Sequence, residues 1–404
     1  MNHRSSRTVT VMLLALGLPT ATLAQATAPV SSEGGADIRV PAGRDWQAPP
    51  GVDLTAGFTE GFSTATDDSL QEPGDSEWVL VPIPFRNALL GLGLQVGVGR
   101  LYKPEDRPAQ KQASMFGVAG MYAEGGSWAA AAGDRRYWGD GRLRTTLAAG
   151  AGNVNYDVNL SALLNGLRLP VEQDFSGGLL KVGYEAREHL WLSAGFKAAR
   201  SEVRIKWPQL DQDNLLLLPR LDYQVALVNL EAEWDSRSDQ FYPQGGALMG
   251  AKSSFADPAW GADTDYQVYE LSYSAYKALS ERHTLAWRIA GKLVEGNAPF
   301  FSLAWFGSGV DLRGYAPGTY IGKSQAAVQA EWRWQATRRL GVVAFGGVGG
   351  VWGDVPVFEQ DDFLPAGGLG LRWRLTEKFR VNFRVDYAWG KDDQVLLISA
   401  GEAF

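Results

Sequence analysis

From Trp78 to the C-terminus the chain alternates apolar residues with polar or small ones at a period of two. Leu90, Leu92, Leu94, Val96 and Val98 share one face, and Gly91, Gly93, Gln95, Gly97 and Gly99 share the other. Ala326, Val328, Ala330, Trp332 and Trp334 alternate with Gln325, Gln329, Glu331 and Arg333. Phe379, Val381, Phe383, Val385, Tyr387 and Trp389 alternate with Arg380, Asn382, Arg384, Asp386 and Ala388. Such a pattern sends successive side chains to opposite faces of a sheet. Alternation alone does not say whether the apolar face points inward, as in a soluble sandwich, or outward to lipid. Three features favour lipid. The segments reach about ten residues or more, the length a tilted strand needs to cross a bilayer, against five or six in soluble sheets. Trp78, Tyr102, Trp352 and Trp389 stand at segment ends, where an interfacial girdle would lie. The connections alternate between short and long, as the turns and outer loops of a membrane barrel do.

The alternating segments are 78–85, 89–102, 112–123, 127–137, 142–156, 172–185, 190–205, 221–235, 245–255, 264–279, 284–295, 324–335, 340–352, 363–374, 380–389 and 394–403. The expected fold is all-β: a transmembrane antiparallel β-barrel of about 16 strands over residues 76–404, an even number as bacterial single-chain barrels have. Segment 221–235 slips phase near Leu227 and Val228, which predicts a bulge. With both termini on the periplasmic side, the tight turns at 138–141, 186–189, 280–283, 336–339 and 375–378 are periplasmic. The long connections 157–171, 206–220 and 296–323 then lie outside.

The first residues change the picture of compartment. Arg4 and Arg7, an apolar run from Val9 to Leu18 and small residues at Ala21, Ala24 and Ala26 describe a secretory signal peptide. Residues 1–24 are expected to be removed, with cleavage after Ala24 or Ala26. Loss of two arginines and no acids takes the formal charge from −7 to −9. That balance excludes nucleic acid as a partner of the usual kind, which needs a basic face. Residues 27–75 are rich in Ala, Gly, Pro, Ser, Asp and Thr and are expected to form a mostly disordered periplasmic extension. The chain has no cysteine, so neither a disulfide framework nor an N-terminal lipid anchor is available.

Chemistry of the enzymatic kind is not expected. Of three histidines, His3 leaves with the signal peptide, and His189 and His283 fall in predicted periplasmic turns. There is no Gly-x-Ser-x-Gly elbow, P-loop or Cys/His cluster, and no catalytic, cofactor or metal residues are assigned. The pairs Asp361-Asp362 and Asp392-Asp393 read as solvated loop surface. Inward positions carry Arg372, Arg374, Arg380, Arg384, Lys181 and Lys197, either a wall that attracts anions or the ordinary polar interior of a wet barrel.

The connection 296–323 holds Phe306-Gly307-Ser308-Gly309-Val310-Asp311-Leu312-Arg313-Gly314-Tyr315. Here the chain resembles the BamA/TamA-type outer-membrane assembly superfamily, the bacterial surface antigen family. Its sixth outer loop carries an aliphatic residue, Arg-Gly, then Tyr or Phe. Asp235-Ser236-Arg237 leading to Pro243 and Gly246 is similar to the family's periplasmic turn motif. Ile398, Gly401 and Phe404 are similar to its C-terminal strand, whose terminal aromatic serves as the assembly signal. The resemblance spans about residues 76–404. It implies that loop 296–323 folds into the lumen, with Arg313, Gly314 and Tyr315 as a latch and Glu331, inward on its strand, as the partner of Arg313. An exposed, solvated arginine is the alternative. Two departures stand out. Gly347 replaces the acid that the family's thirteenth strand offers as a second partner, and 27–75 has no room for the POTRA domains that receive clients, so the chain looks like a short member. Pro82 and Pro84 on the first strand cannot donate ladder hydrogen bonds; they either weaken the seam with the last strand or lie outside its paired region.

Three functions remain open: a barrel for protein or lipid assembly, translocation or surface display; a passive outer-membrane pore gated by the Arg313 loop; and a surface antigen or scaffold. The partners implied are outer-membrane lipids, the barrel assembly machinery for its own insertion, and a periplasmic or lipoprotein partner standing in for the missing domains.

Overall fold

The computed structural model describes residues 38–39, 76–87, 89–102, 114–160, 167–205, 221–239, 242–307, 312–353, 355, 358–374, 382–391 and 393–404. The signal-peptide segment and the Arg380 position lie outside these residues, as does most of 27–75. The barrel strands are β1 (Ser76–Asn87), β2 (Gly91–Tyr102), β3 (Ser114–Ala123), β4 (Trp128–Trp138), β5 (Leu143–Leu160), β6 (Leu167–Arg187), β7 (Leu190–Ile205) and β8 (Leu221–Asp235). They continue as β9 (Gly245–Ala256), β10 (Tyr266–Ser280), β11 (His283–Gly296), β12 (Ser324–Trp334), β13 (Leu340–Trp352), β14 (Leu364–Arg374), β15 (Asn382–Trp389) and β16 (Gln394–Ala400). Each pairs antiparallel with the next, and β16 meets β1 to close the sheet.

Exposure decides which way the sheet faces. Leu147, Leu271 and Leu369 are 59%, 65% and 56% exposed on the outer surface, whereas Gln329, Glu331 and Asp386 are fully buried inside. A soluble barrel would invert that order; an apolar exterior around a polar interior fits a lipid solvent. No helix among the described residues is long and apolar enough to cross a membrane. Past the apolar band the alternation inverts, with Val154, Tyr156 and Val158 buried. The hairpin of β5 and β6 runs past the apolar band, and there its outward residues turn polar. Asn153 donates to Glu172 and Asp174 at 2.8 Å each, and Arg204 on β7 pairs with Asp174.

The bulge expected near Leu227 and Val228 is absent, since β8 pairs with β7 in unbroken register from Leu221 to Trp234. Instead, Val225 and Leu227 are buried in an apolar cluster with Phe301 and Trp305. In the β9–β10 connection the Trp260 indole N–H donates to the Ala226 carbonyl at 3.1 Å, and Ala226 is buried. Register shifts occur at Glu185/Arg187 and at Ala278/Ser280, beside tight turns.

β16 ends at Ala400 rather than continuing to residue 403. Gly401 has φ +85°, a left-handed backbone that breaks the strand. The tail after it turns into the lumen, where Phe404 is fully buried with Ala403, Tyr276 and Ala286. The seam is correspondingly thin. Among the described residues the register between β16 and β1 holds at one position, Ile398 opposite Arg86, while β15 and β16 pair from Phe383 to Trp389. Ile38–Arg39, within the stretch expected to lack structure, pairs in parallel with Gln394 and Val395 at the outer end of β16.

Candidate functional site: a loop latched inside the barrel

The described part of the long β11–β12 connection packs inside the barrel. Its first part makes a short helical turn, Phe300–Ser302, and a two-residue ribbon pairing Ala304–Trp305 with Ile321–Gly322. Phe301, Trp305 and Ile321 are almost wholly buried against wall residues that include Tyr156, Val171 and Val294. Trp305 donates to the Phe300 carbonyl at 2.9 Å, and Lys292 on the wall donates to the Leu303 carbonyl at 2.9 Å. Burial of each such large apolar side chain stabilises the docked loop by roughly 1.5–3 kcal/mol before the entropy of ordering it is subtracted.

The tip then delivers Arg313 to the wall. Its Nη2 meets Glu331 at 2.5 Å, its Nη1 meets Asp386 at 2.7 Å, and its Nε donates to Gln329 at 3.1 Å. The guanidinium carbon lies 3.5 Å from the centroid of the Phe345 ring, close enough for a cation–π contact. The two acids are shared. Arg333 reaches Glu331 at 2.6 Å, and Arg372 reaches Asp386 at 2.5 Å and Glu402 at 2.8 Å. Charges this deep persist only when paired, because leaving one unpaired costs several kcal/mol. Gly314 has φ +125°, and a Cβ there would sit 2.9 Å from both the Ala366 side chain and the Trp389 carbonyl. Only glycine fits. The Tyr315 hydroxyl donates to the Pro365 carbonyl at 2.6 Å and accepts from the Lys391 amide at 3.1 Å.

The Omp85 superfamily domain matches residues 167–404, more than half of the chain. The chain belongs to the Omp85 superfamily. Solved structures agree on the fold. BamA from Haemophilus ducreyi lacking POTRA domains 1–3 superposes with a TM-score of 0.59 at 13% identity, covering 82% of this chain and 70% of that one. CdiB from Escherichia coli gives 0.56 at 12% identity, with 82% and 63% covered. CdiB from Acinetobacter baumannii gives 0.53 at 12% identity, with 82% and 60% covered. The chain thus spans roughly two thirds of the length of these proteins. Among curated proteins none matches.

In this Omp85 barrel the position of Gly347 has a steric reason. A Cβ there would run into the Val328 carbonyl and come within 2.7 Å of the Leu312 side chain. Leu312, itself buried, occupies the space an acid would need. The second carboxylate comes instead from Asp386 on β15. Sequence parity already put Asp386 on the inward face, but nothing in the sequence says which inward acid a loop tip will reach. Gln329 escaped notice for the same reason. Gly370 opens room for the pair, since a Cβ there would collide with Asp386 and lie 2.7 Å from Arg372.

The other candidate residues divide. Asp235 folds onto Arg237, meeting its backbone N–H at 3.1 Å and its Nη2 at 2.6 Å. Gly246 has φ +81°, and a Cβ there would meet the Ser236 carbonyl, so this turn requires glycine. Pro243 is buried beside Tyr242 in the same turn, where burial pushes the Tyr242 phenol above its ordinary range. Ile398 lies on β16, but Gly401 and Phe404 belong to the tail inside the lumen. Two loop carboxylates read as solvated surface are used. Asp393 accepts from the Ala316 amide at 2.7 Å, and Asp361 pairs with Lys391 at 2.6 Å. The Lys391 ammonium and the Phe363 amide hold the Asp361 carboxyl below the usual carboxylate range. Of the inward bases, Lys181 pairs with Glu231 at 2.7 Å, and Arg374 donates to the neutral Gln335 at 3.0 Å.

Proposed function

We propose that this Omp85 barrel acts in the assembly, translocation or surface display of protein or lipid at the outer membrane, working through the seam between β1 and β16. The seam's register carries the reading. Among the described residues one paired position, Ile398 with Arg86, joins β1 to β16, and an edge so thinly paired can accept an added strand. Pro82 and Pro84 lie in this stretch, where they limit closure because neither can donate. The packed loop argues against a passive pore, since Trp305, Phe301 and Ile321 fill the lumen from the wall inward. The function is non-enzymatic, and a periplasmic or lipoprotein partner delivers the client.

Site-specific photo-crosslinking in intact outer membranes tests this, with probes replacing Ile83 on β1 and Leu396 on β16. Capture of a second polypeptide from both positions supports the reading. Capture of lipid and the barrel itself alone overturns it in favour of a closed barrel that shares only its architecture with assembly proteins.

A further inference from the structure

The charge cluster that holds Arg313 also holds the end of the chain's last strand. Outward positions on β16 include Leu396 and Ile398, so an unbroken strand would place Glu402 and Phe404 on the lipid side. The turn at Gly401 brings both into the lumen. There Glu402 accepts from Arg372 at 2.8 Å and from Asn382 at 2.7 Å, and lies 3.8 Å from Arg333. Arg333 donates to a main-chain oxygen of Phe404 at 2.8 Å and stands 5.7 Å from its ring. Thus Arg333 and Arg372 each bridge two sites. One side of each guanidinium serves Glu331 or Asp386, the acids that hold the loop, and the other serves the tail.

We propose that the outer loop and the C-terminal tail are energetically linked: docking of Arg313 and docking of Gly401–Phe404 stabilise each other, so that withdrawal of the loop frees the end of β16. The sign follows from the charges. Among the described residues the cluster sets Arg313, Arg333, Arg372 and Arg384 against Glu331, Asp386 and Glu402. Remove Arg313, and Glu331 and Asp386 each lose a cation. They then compete with Glu402 for Arg333 and Arg372, and their repulsion of Glu402 is no longer offset. Conversely, loss of Glu402 leaves Arg333 and Arg372 short of an anion and repelling Arg313. A loop facing the cell exterior thereby sets the freedom of a seam strand at the periplasmic end. The linkage deepens the seam reading, but its test requires no client, so the two fail separately.

The chain lacks cysteine, so single reporters are clean. Ala403→Cys reports on the tail and Ala316→Cys on the loop, both buried positions. The rate of modification by a charged maleimide is measured in outer-membrane vesicles on protein that keeps its heat-modifiable gel shift. Arg313→Ala should speed labelling at position 403 by about tenfold, and Glu402→Gln should speed labelling at position 316 by a similar factor, because coupling between two sites is reciprocal. Asp361→Asn loosens only the outer rim and should leave position 403 at the wild-type rate. Where Arg313→Ala does not fold, Arg313→Lys takes its place, with an increase at position 403 still expected. The proposal is overturned if Arg313 variants expose position 316 but leave 403 protected, if Glu402→Gln exposes 403 alone, or if Asp361→Asn exposes 403 as strongly as the Arg313 change.

Discussion

Replacing Arg313 with alanine withdraws a guanidinium that is 3% exposed from between two fully buried carboxylates. Removing one member of a buried ion pair typically costs about 3–5 kcal/mol, mostly because the remaining charge is left uncompensated. Here the lower end applies, since Glu331 keeps Arg333 at 2.6 Å and Asp386 keeps Arg372 at 2.5 Å. Loss of the contact with the Phe345 ring adds about 1 kcal/mol. A total near 3–4 kcal/mol changes the folded-to-unfolded ratio by more than about 100-fold. The assay is denaturant unfolding of the purified barrel in detergent, read by tryptophan fluorescence and by the gel shift. Arg313→Lys should fall between the two, because an ammonium keeps the charge but cannot span both acids or lie flat on the ring. The triple variant R313M/E331Q/D386N tests whether the two acids serve more than Arg313. That variant strips Arg333 and Arg372 of their buried acids as well, so it should be no more stable than Arg313→Ala. A change below about 0.5 kcal/mol for Arg313→Ala, the range of an ordinary surface substitution, would refute the latch as the main tie of the loop.

Three further outcomes follow from the same geometry. Gly347→Asp, which restores the acid on β13, should destabilise the barrel by about 1–3 kcal/mol through overpacking against Leu312 and the Val328 carbonyl; a gain in unfolding midpoint would contradict that. Tyr315→Phe strips the Pro365 carbonyl and the Lys391 amide of their shared partner and should cost about 1–2 kcal/mol with the fold intact, measured by the same denaturant curves. The Asp361 carboxyl is depressed in the folded state, so its clip to Lys391 is complete above the ordinary carboxylate range near pH 4 and is lost as pH falls through the lowered value. Exchange of the Phe363 amide, which donates to Asp361, should therefore gain protection as pH rises through that window once the intrinsic rate is divided out.

Most of the barrel was legible because lipid imposes a simple rule. Every spanning strand must show apolar side chains outward, so period-two patterning finds the strands and parity assigns their faces. The rule stops at the membrane edge. The outer extensions of β5 and β6 at 157–160 and 167–171 still alternate, but there Val158 and Val171 are buried and Asp157 is exposed, the reverse of the lipid-facing rule, and the sequence reading ended the strands short of them. The slip at Leu227 and Val228 accompanies burial of Val225 and Leu227 against Phe301 and Trp305, which a local pattern cannot distinguish from a bulge. The loop motif led to Arg313, and parity to Glu331, but not to Asp386, because that contact spans 73 residues of sequence and depends on which wall the tip faces. Gly347 was legible as a missing acid and not as space for Leu312. The tail turned on one backbone angle at Gly401, where a glycine in a strand pattern reads equally as strand or stop.

A disulfide across the seam tests the central claim most directly. Cysteines replacing Arg86 and Ile398 face one another at a position where β1 and β16 pair in register. In the otherwise cysteine-free chain, oxidation should lock the barrel shut. The account predicts that the locked barrel stays folded, that photo-crosslinks from Ile83 to a second polypeptide disappear, and that reduction restores them. A locked barrel that still captures the same polypeptide at the same yield would contradict passage or assembly through the seam.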